Sequence, residues 1–197
     1  MHARRLACFF LGLWLAGGLF VAWVATQNFR SVDRMLSGAN PAATLQLKPF
    51  GQEARMILRY HASELNRYYF ARWETYQLLF GSFFFCVMLF GSREGKFTLV
   101  GVLLMLLLVA LQRFIVTPEI TALGRLIDFV PADQPSPERN RFWVVHMAYT
   151  GVEVGKWILA LVLTGQLVFS RRRSGRSRDS RSNLDRVNKA DYRGVNR

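Results

Sequence analysis

The chain of 197 residues carries 26 Lys and Arg against 13 Asp and Glu, a formal net charge of +13, yet 51% of its residues are hydrophobic and 20% charged. The basic excess and the apolar bulk occupy different stretches. Ser170 to Arg197 holds ten Lys or Arg and three Asp, a net of +7, and the residues before it keep long runs almost free of charge. A soluble enzyme or nucleic-acid-binding domain would interleave charges with a modest core, so the pattern excludes both and indicates a membrane protein.

A bilayer core about 30 Å thick is crossed by roughly 20 mostly apolar residues in a helix. Leu6 to Ala25 supplies twenty without a charge. His2-Ala3-Arg4-Arg5 would also suit a secretory signal. The apolar run is longer than the core of such a leader, however, and Trp23 falls where a small residue is wanted before a cut at Ala25. A first span is the reading. Thr26 to Arg34 then alternates charge, and Ser37-Gly38-Ala39-Asn40-Pro41 breaks the helix. Helical spacing resumes near Gly51, where Ala54, Ile57, Leu58, Leu65, Tyr69 and Trp73 form a loose apolar stripe. Residues 52–91 are predicted as one long or kinked helix, interfacial in its first half and spanning over about 70–91. Tyr60, Tyr68, Tyr69, Trp73 and Tyr76 suit the headgroup level.

Phe97 to Leu111 is unbroken apolar sequence that continues past Gln112 and Arg113, giving a third span over 97–116. Thr117-Pro118-Glu119 ends it, and Pro118 is placed to start a short helix from Glu119 to Phe129. Pro131, Pro135 and Pro137 mark an irregular loop. Phe142 to Phe169 is a fourth span, 28 residues with two formal charges, Glu153 and Lys156. Past it the sequence is rich in Arg, Ser and Asn, the composition of a disordered segment.

The predicted fold is therefore all-α. It is an integral membrane four-helix bundle over 1–169, with an outward interfacial helical extension and a disordered basic tail over 170–197. Arg4 and Arg5, Arg93 and Lys96, and Arg171 to Arg173 fall on one side of an even number of spans. The Lys/Arg bias makes that side cytoplasmic, with both termini on it, as in a multi-pass protein of a bacterial inner (plasma) membrane. The outward loops mix basic residues with acids. The tail's charge serves orientation and attraction to anionic lipid headgroups, so the bilayer is the expected partner, together with another membrane protein or a second copy, and no nucleic acid. Cys8 and Cys86 read as small apolar fillers.

The sharpest candidate site is a polar face on span four. At about 100° per residue, His146, Tyr149, Thr150, Glu153 and Lys156 share an arc about 120° wide. Ionisable groups near the middle of a span are costly unless paired and by default mark a functional site. The alternative is a self-satisfied Glu153–Lys156 pair that fixes helix register. Glu74 and Arg113 are possible partners, Arg113 with Gln112 forming a second polar point that would otherwise snorkel to headgroups. His61 and His146 raise a haem with two imidazole ligands, and His146 alone is the candidate cofactor contact, against the ordinary reading of an interfacial hydrogen-bonded histidine. No His-x-x-x-His or Cys-x-x-Cys spacing occurs, so no metal site is predicted. No catalytic residue can be assigned.

Several motifs carry a resemblance. They are Asn28-Phe29-Arg30 with Asp33-Arg34, Leu58-Arg59-Tyr60-His61-Ala62-Ser63-Glu64-Leu65-Asn66-Arg67, Thr117-Pro118-Glu119-Ile120 with Gly124-Arg125, and Phe142-x-x-x-His146. In this order they resemble the small four-span membrane family similar to transmembrane protein 205, over roughly residues 6–169. That resemblance implies a four-helix membrane domain and brings no catalytic residues with it. A more distant similarity is to copper-resistance-D-like proteins and to the four-span membrane oxidase of the haem pathway. The His146-to-Lys156 face is similar to the His and Lys important there, although span one here lacks the His of that family.

The functional expectation is an accessory or interaction protein without enzymatic activity. The alternative is a haem- or porphyrin-linked membrane redox protein, and a third class is a small ion or proton conduit.

Overall fold

The computed structural model describes the backbone of residues 2–38, 40–91, 96–131 and 134–191, with side chains from residue 4 to 90 and from 96 to 169 within them. The described residues are helical, with no strand among them. The order is α1 (His2–Leu36), α2 (Pro41–Leu47), a 3-10 turn (Lys48–Phe50), α3 (Gly51–Gly91), α4 (Lys96–Leu111), a π turn (Gln112–Val116), α5 (Thr117–Ile127) and α6 (Pro137–Asp191). Four helical stretches are long and apolar enough to cross a membrane: Arg4–Leu36, Pro41–Phe90, Lys96–Ile127 and Pro137–Phe169. Gly38 adopts a φ of 89° in the turn after α1, a left-handed conformation that a Cβ disfavours. Asn40 caps α2 by accepting from the Ala43 N–H. The turn at 92–95, with Arg93, lies outside the described residues.

α1 and α3 run antiparallel along most of their length. Phe10 stacks on Phe84 with centroids 5.2 Å apart, and Trp14 meets Phe80 edge-on at 5.1 Å. Farther along, Asn28 donates to Asn66 at 2.6 Å, and the Asn66 amide donates to the Ala25 carbonyl at 3.1 Å. Those bonds seat two polar amides inside the pair. α3 and α6 run parallel, since Phe70 touches Tyr149 and Gln77 bonds Lys156 at one constant offset of 79 positions. The apolar core lies at the end opposite α2, with Trp14, Phe84, Met105, Val109, Leu163 and Leu167 all nearly inaccessible.

The third helical stretch differs from its predicted end at Pro118. α4, the π turn and α5 form one rod from Lys96 to Ile127. Pro118 has no N–H to donate and its ring crowds the carbonyl four residues back, which would break a regular helix there. The i→i+5 turn just before it, where the Thr117 N–H donates to the Gln112 carbonyl, takes up that misfit without ending the helix.

The backbone of α6 is helical from Pro137 to Asp191. A helix nucleated in the preceding span extends without the cost of a new nucleus, and 170–191 contains no proline. Residues 192–197 lie outside the described residues.

Candidate functional site

Three of the helical stretches meet in a buried polar centre about midway along the bundle. α6 contributes Tyr149, Glu153 and Lys156, and α3 contributes Glu74 and Gln77. The rod contributes Gln112 and Thr117. Glu74 and Gln77 on α3 are three apart, and Tyr149, Glu153 and Lys156 on α6 are four and three apart, spacings that keep each set on one helix face. Gln112 and Thr117 are five apart, which in an α-helix would put them about 140° apart around the axis. The wider π turn between them brings them closer to one side, and both are buried. The distortion beside Pro118 therefore does structural work for the centre.

Lys156 is fully buried, and its ammonium donates to Glu153 Oε1 at 2.7 Å, Gln112 Oε1 at 2.6 Å and Gln77 Oε1 at 3.2 Å. A lysine ammonium has three donors, and all three are taken. The Gln112 amide in turn donates to the Tyr149 carbonyl at 3.3 Å, tying the rod to α6 a second time. Glu74, also fully buried, accepts at one oxygen, Oε1, from the Tyr149 hydroxyl at 3.1 Å and from the Thr117 hydroxyl. Glu74 Oε2, Glu153 Oε2 and Gln77 Nε2 have no protein partner.

The sequence-predicted residues divide. Tyr149, Glu153 and Lys156 meet in the centre, and Glu74 joins them through Tyr149. Arg113 is half-buried and makes no ion pair with Glu74 among the described residues. Thr150 is exposed, its hydroxyl bonded to the His146 carbonyl at 2.9 Å. His146 lies on the same helix but outside the network, its ring stacked on Phe142 at 5.7 Å and edge-on to Trp143 at 5.6 Å. The parallel register of α3 and α6 puts His146 level with residue 67 of α3, so the exposed His61 lies about 9 Å farther along the axis. The two imidazoles are not brought to one level.

Gln77 escaped the sequence reading, although it stands one turn from Glu74 and the signal was the same i,i+3 spacing that marks Glu153 and Lys156. Comparison of the chain with protein-family models, curated proteins and solved structures found no match.

A second polar cluster sits nearer the α2 end. Arg67 makes a two-point ion pair with Asp128, 2.8 Å at each contact, and reaches Glu64 at 2.6 Å. Arg125 approaches Glu64 at 3.6 Å. These contacts clamp α3 to the end of α5. Arg141 pairs with Glu119 at 2.6 Å, and Arg139 donates to the carbonyls of Val130, Pro131 and Gln134, so the loop before α6 is held by its own helix.

Proposed function

We propose that the chain is a multi-pass protein of a bacterial inner membrane, with both termini cytoplasmic, acting as an accessory or interaction protein and not as an enzyme. The observation that carries this reading is the saturation of Lys156. A lysine ammonium has three donors. This one spends all three on Glu153, Gln77 and Gln112, from three helical stretches. The buried ammonium joins helices. The exposed large apolar side chains around the bundle, among them Phe9, Phe20, Leu79, Phe114 and Val144, suit contact with lipid or with another membrane helix. Arg4, Arg5 and the basic stretch after Phe169 supply attraction to anionic headgroups. The resemblance to the family similar to transmembrane protein 205 supports the four-span membrane domain in this reading.

The test is a visible spectrum and in-membrane crosslinking on the same purified full-length chain. The expected result is no Soret band and a crosslinked species containing a defined membrane partner or a second copy. A Soret band that vanishes in His146→Ala would overturn the reading in favour of a haem-linked redox protein.

A further inference from the structure

Three polar atoms of the centre have neither a protein partner nor access to solvent: Glu74 Oε2, Glu153 Oε2 and Gln77 Nε2. Glu74 and Gln77 are fully buried, and Glu153 nearly so. The bonds at the other end of each group fix what is left over. A lysine ammonium can only donate, so the oxygen of the Gln77 amide faces Lys156 and its NH2 group is the part left unpartnered. Glu153 Oε1 takes the same ammonium, and Glu74 Oε1 takes the Tyr149 and Thr117 hydroxyls. Two acceptors and one donor remain.

The backbone brings these residues together. Phe70 touches Tyr149 and Gln77 bonds Lys156 at an offset of 79 positions between α3 and α6, and Glu74 and Glu153 are separated by the same 79. The two acids therefore stand at one height on neighbouring helices, with Gln77 one turn from Glu74 on the same face. Side-chain bonds divide the centre into two halves, Glu74 with Tyr149 and Thr117, and Lys156 with Glu153, Gln77 and Gln112. The unpartnered atoms come from both halves. Buried polar atoms left unpaired are costly, and buried water takes about three hydrogen bonds from such groups.

We propose that the centre is a binding site for one water molecule, which donates to Glu74 Oε2 and Glu153 Oε2 and accepts from Gln77 Nε2. Water has two hydrogens to give and lone pairs to receive, which matches two acceptors and one donor. A metal cation fits worse. The Gln77 NH2 group has no lone pair free to offer it, and no group of three His, Cys, Asp or Glu side chains among the described residues could hold one. The water joins the two halves of the centre and ties α3 to α6 at the level of Glu74. It is an internal bridge, because the apolar core around Trp14, Phe84, Met105 and Leu163 lies between the centre and the end opposite α2. The proposal is independent of whether the protein has a partner.

The experiment is a crystal structure of the full chain grown from a lipidic mesophase, at a resolution that shows ordered water, with a second crystal grown in rubidium chloride. The expected result is a single peak within hydrogen-bond distance of all three atoms, without anomalous scattering from rubidium. No peak overturns the proposal, and rubidium scattering at the peak overturns it in favour of a cation site. Infrared difference spectra in phosphatidylcholine vesicles, between ordinary and heavy-oxygen water, give a second readout. Wild type should show an isotope-sensitive water band. Glu74→Gln should lose or shift it, because the amide presents a donor where the water needs an acceptor. Thr150→Val, on the exposed side of α6, should keep it unchanged. A band unmoved by Glu74→Gln overturns the proposal equally. If Glu74→Gln does not fold, the wild-type crystal structure decides.

Discussion

The Trp73 indole occupies the space a side chain at Gly17 would need: a Cβ there would lie 2.1 Å from Trp73 Cη2. The next residue repeats the relationship with another helix, since a Cβ on Gly18 would lie 2.7 Å from Trp157 Nε1. α1 shares no ionisable group with the polar centre, so two adjacent glycines clasped by an indole from α3 and one from α6 are its seat at that level. A rigid ring cannot give by so much without moving its helix. Gly17→Ala and Gly18→Ala are each expected to destabilise the bundle by about 1–3 kcal/mol, the usual cost of overpacking. Gly12→Ala, with open space around it, should change little. Thermal unfolding in detergent checks all three.

Breaking a buried ion pair from one side leaves an uncompensated charge. Lys156→Met should therefore cost about 3–5 kcal/mol, stranding Glu153 and the acceptor oxygens of Gln77 and Gln112. Glu153→Gln should be similarly damaging. The double variant Glu153→Gln with Lys156→Met removes both charges and should recover a substantial part of the loss. A double-mutant cycle on unfolding free energy measures the coupling. Strict additivity would show that the pair does not act as a unit.

Much of this arrangement could be read before any coordinates. Uncharged runs located the four long helices, and the wheel on span four brought Tyr149, Glu153 and Lys156 to one side. That wheel could not say which part of its arc faces inward. The inward direction proved to run through Lys156, Tyr149 and Glu153, which leaves His146 half-buried on the flank and Thr150 exposed. The π turn was illegible because it results from a compromise: Pro118 demands a break, while packing on both sides favours continuing the rod. With the turn unseen, Thr117 read as the end of a span and not as a donor to Glu74. The Arg67–Asp128 pair, 61 positions apart, had no local signal at all.

Arg67 and Asp128 form the clamp between α3 and α5, with side-chain exposures of 14% and 6%. A guanidinium fits a carboxylate at two points, and lysine cannot. Arg67→Lys should lower stability by about 1–2 kcal/mol through loss of the two-point fit, a charged hydrogen bond being worth that order. Arg67→Ala should cost more, because it leaves Asp128 buried without a partner. Gly124→Ala should resemble the lysine variant, since its Cβ would lie 2.6 Å from Arg67 Nη2. Unfolding midpoints for the three variants, compared at low and high salt, test the ranking. Strong salt dependence would show the pair to be solvent-exposed.

The hydrogen-bonded chain through the centre is interrupted by a carbonyl and an amide. Among the described residues, the bonded route from Glu74 to Glu153 passes through Tyr149, the Tyr149 backbone carbonyl, the Gln112 amide and Lys156. A carbonyl and an amide hold hydrogen bonds without handing a proton on. Vesicles containing the protein are expected to lose an imposed pH gradient at the rate of empty vesicles, followed with an entrapped pH-sensitive dye. Faster decay that disappears in Glu153→Gln would make the chain a conduit.

Topology provides the last expectation. By the Lys/Arg bias, the end bearing Arg4 and Arg5, the turn bearing Arg93 and Lys96, and the basic stretch after Phe169 are expected to face the cytoplasm. Reporter fusions at Glu94 and at Arg197 should both read cytoplasmic, and one inserted after Gly38, in the turn between α1 and α2, should read on the far side. Replacing Arg171, Arg172 and Arg173 by Gln is expected to weaken the orientation without inverting it, because Arg4, Arg5 and the 92–96 turn retain their bias. A cytoplasmic signal from the Gly38 position would reverse the topology. It would also place the Arg67–Asp128 clamp on the cytoplasmic side of the polar centre.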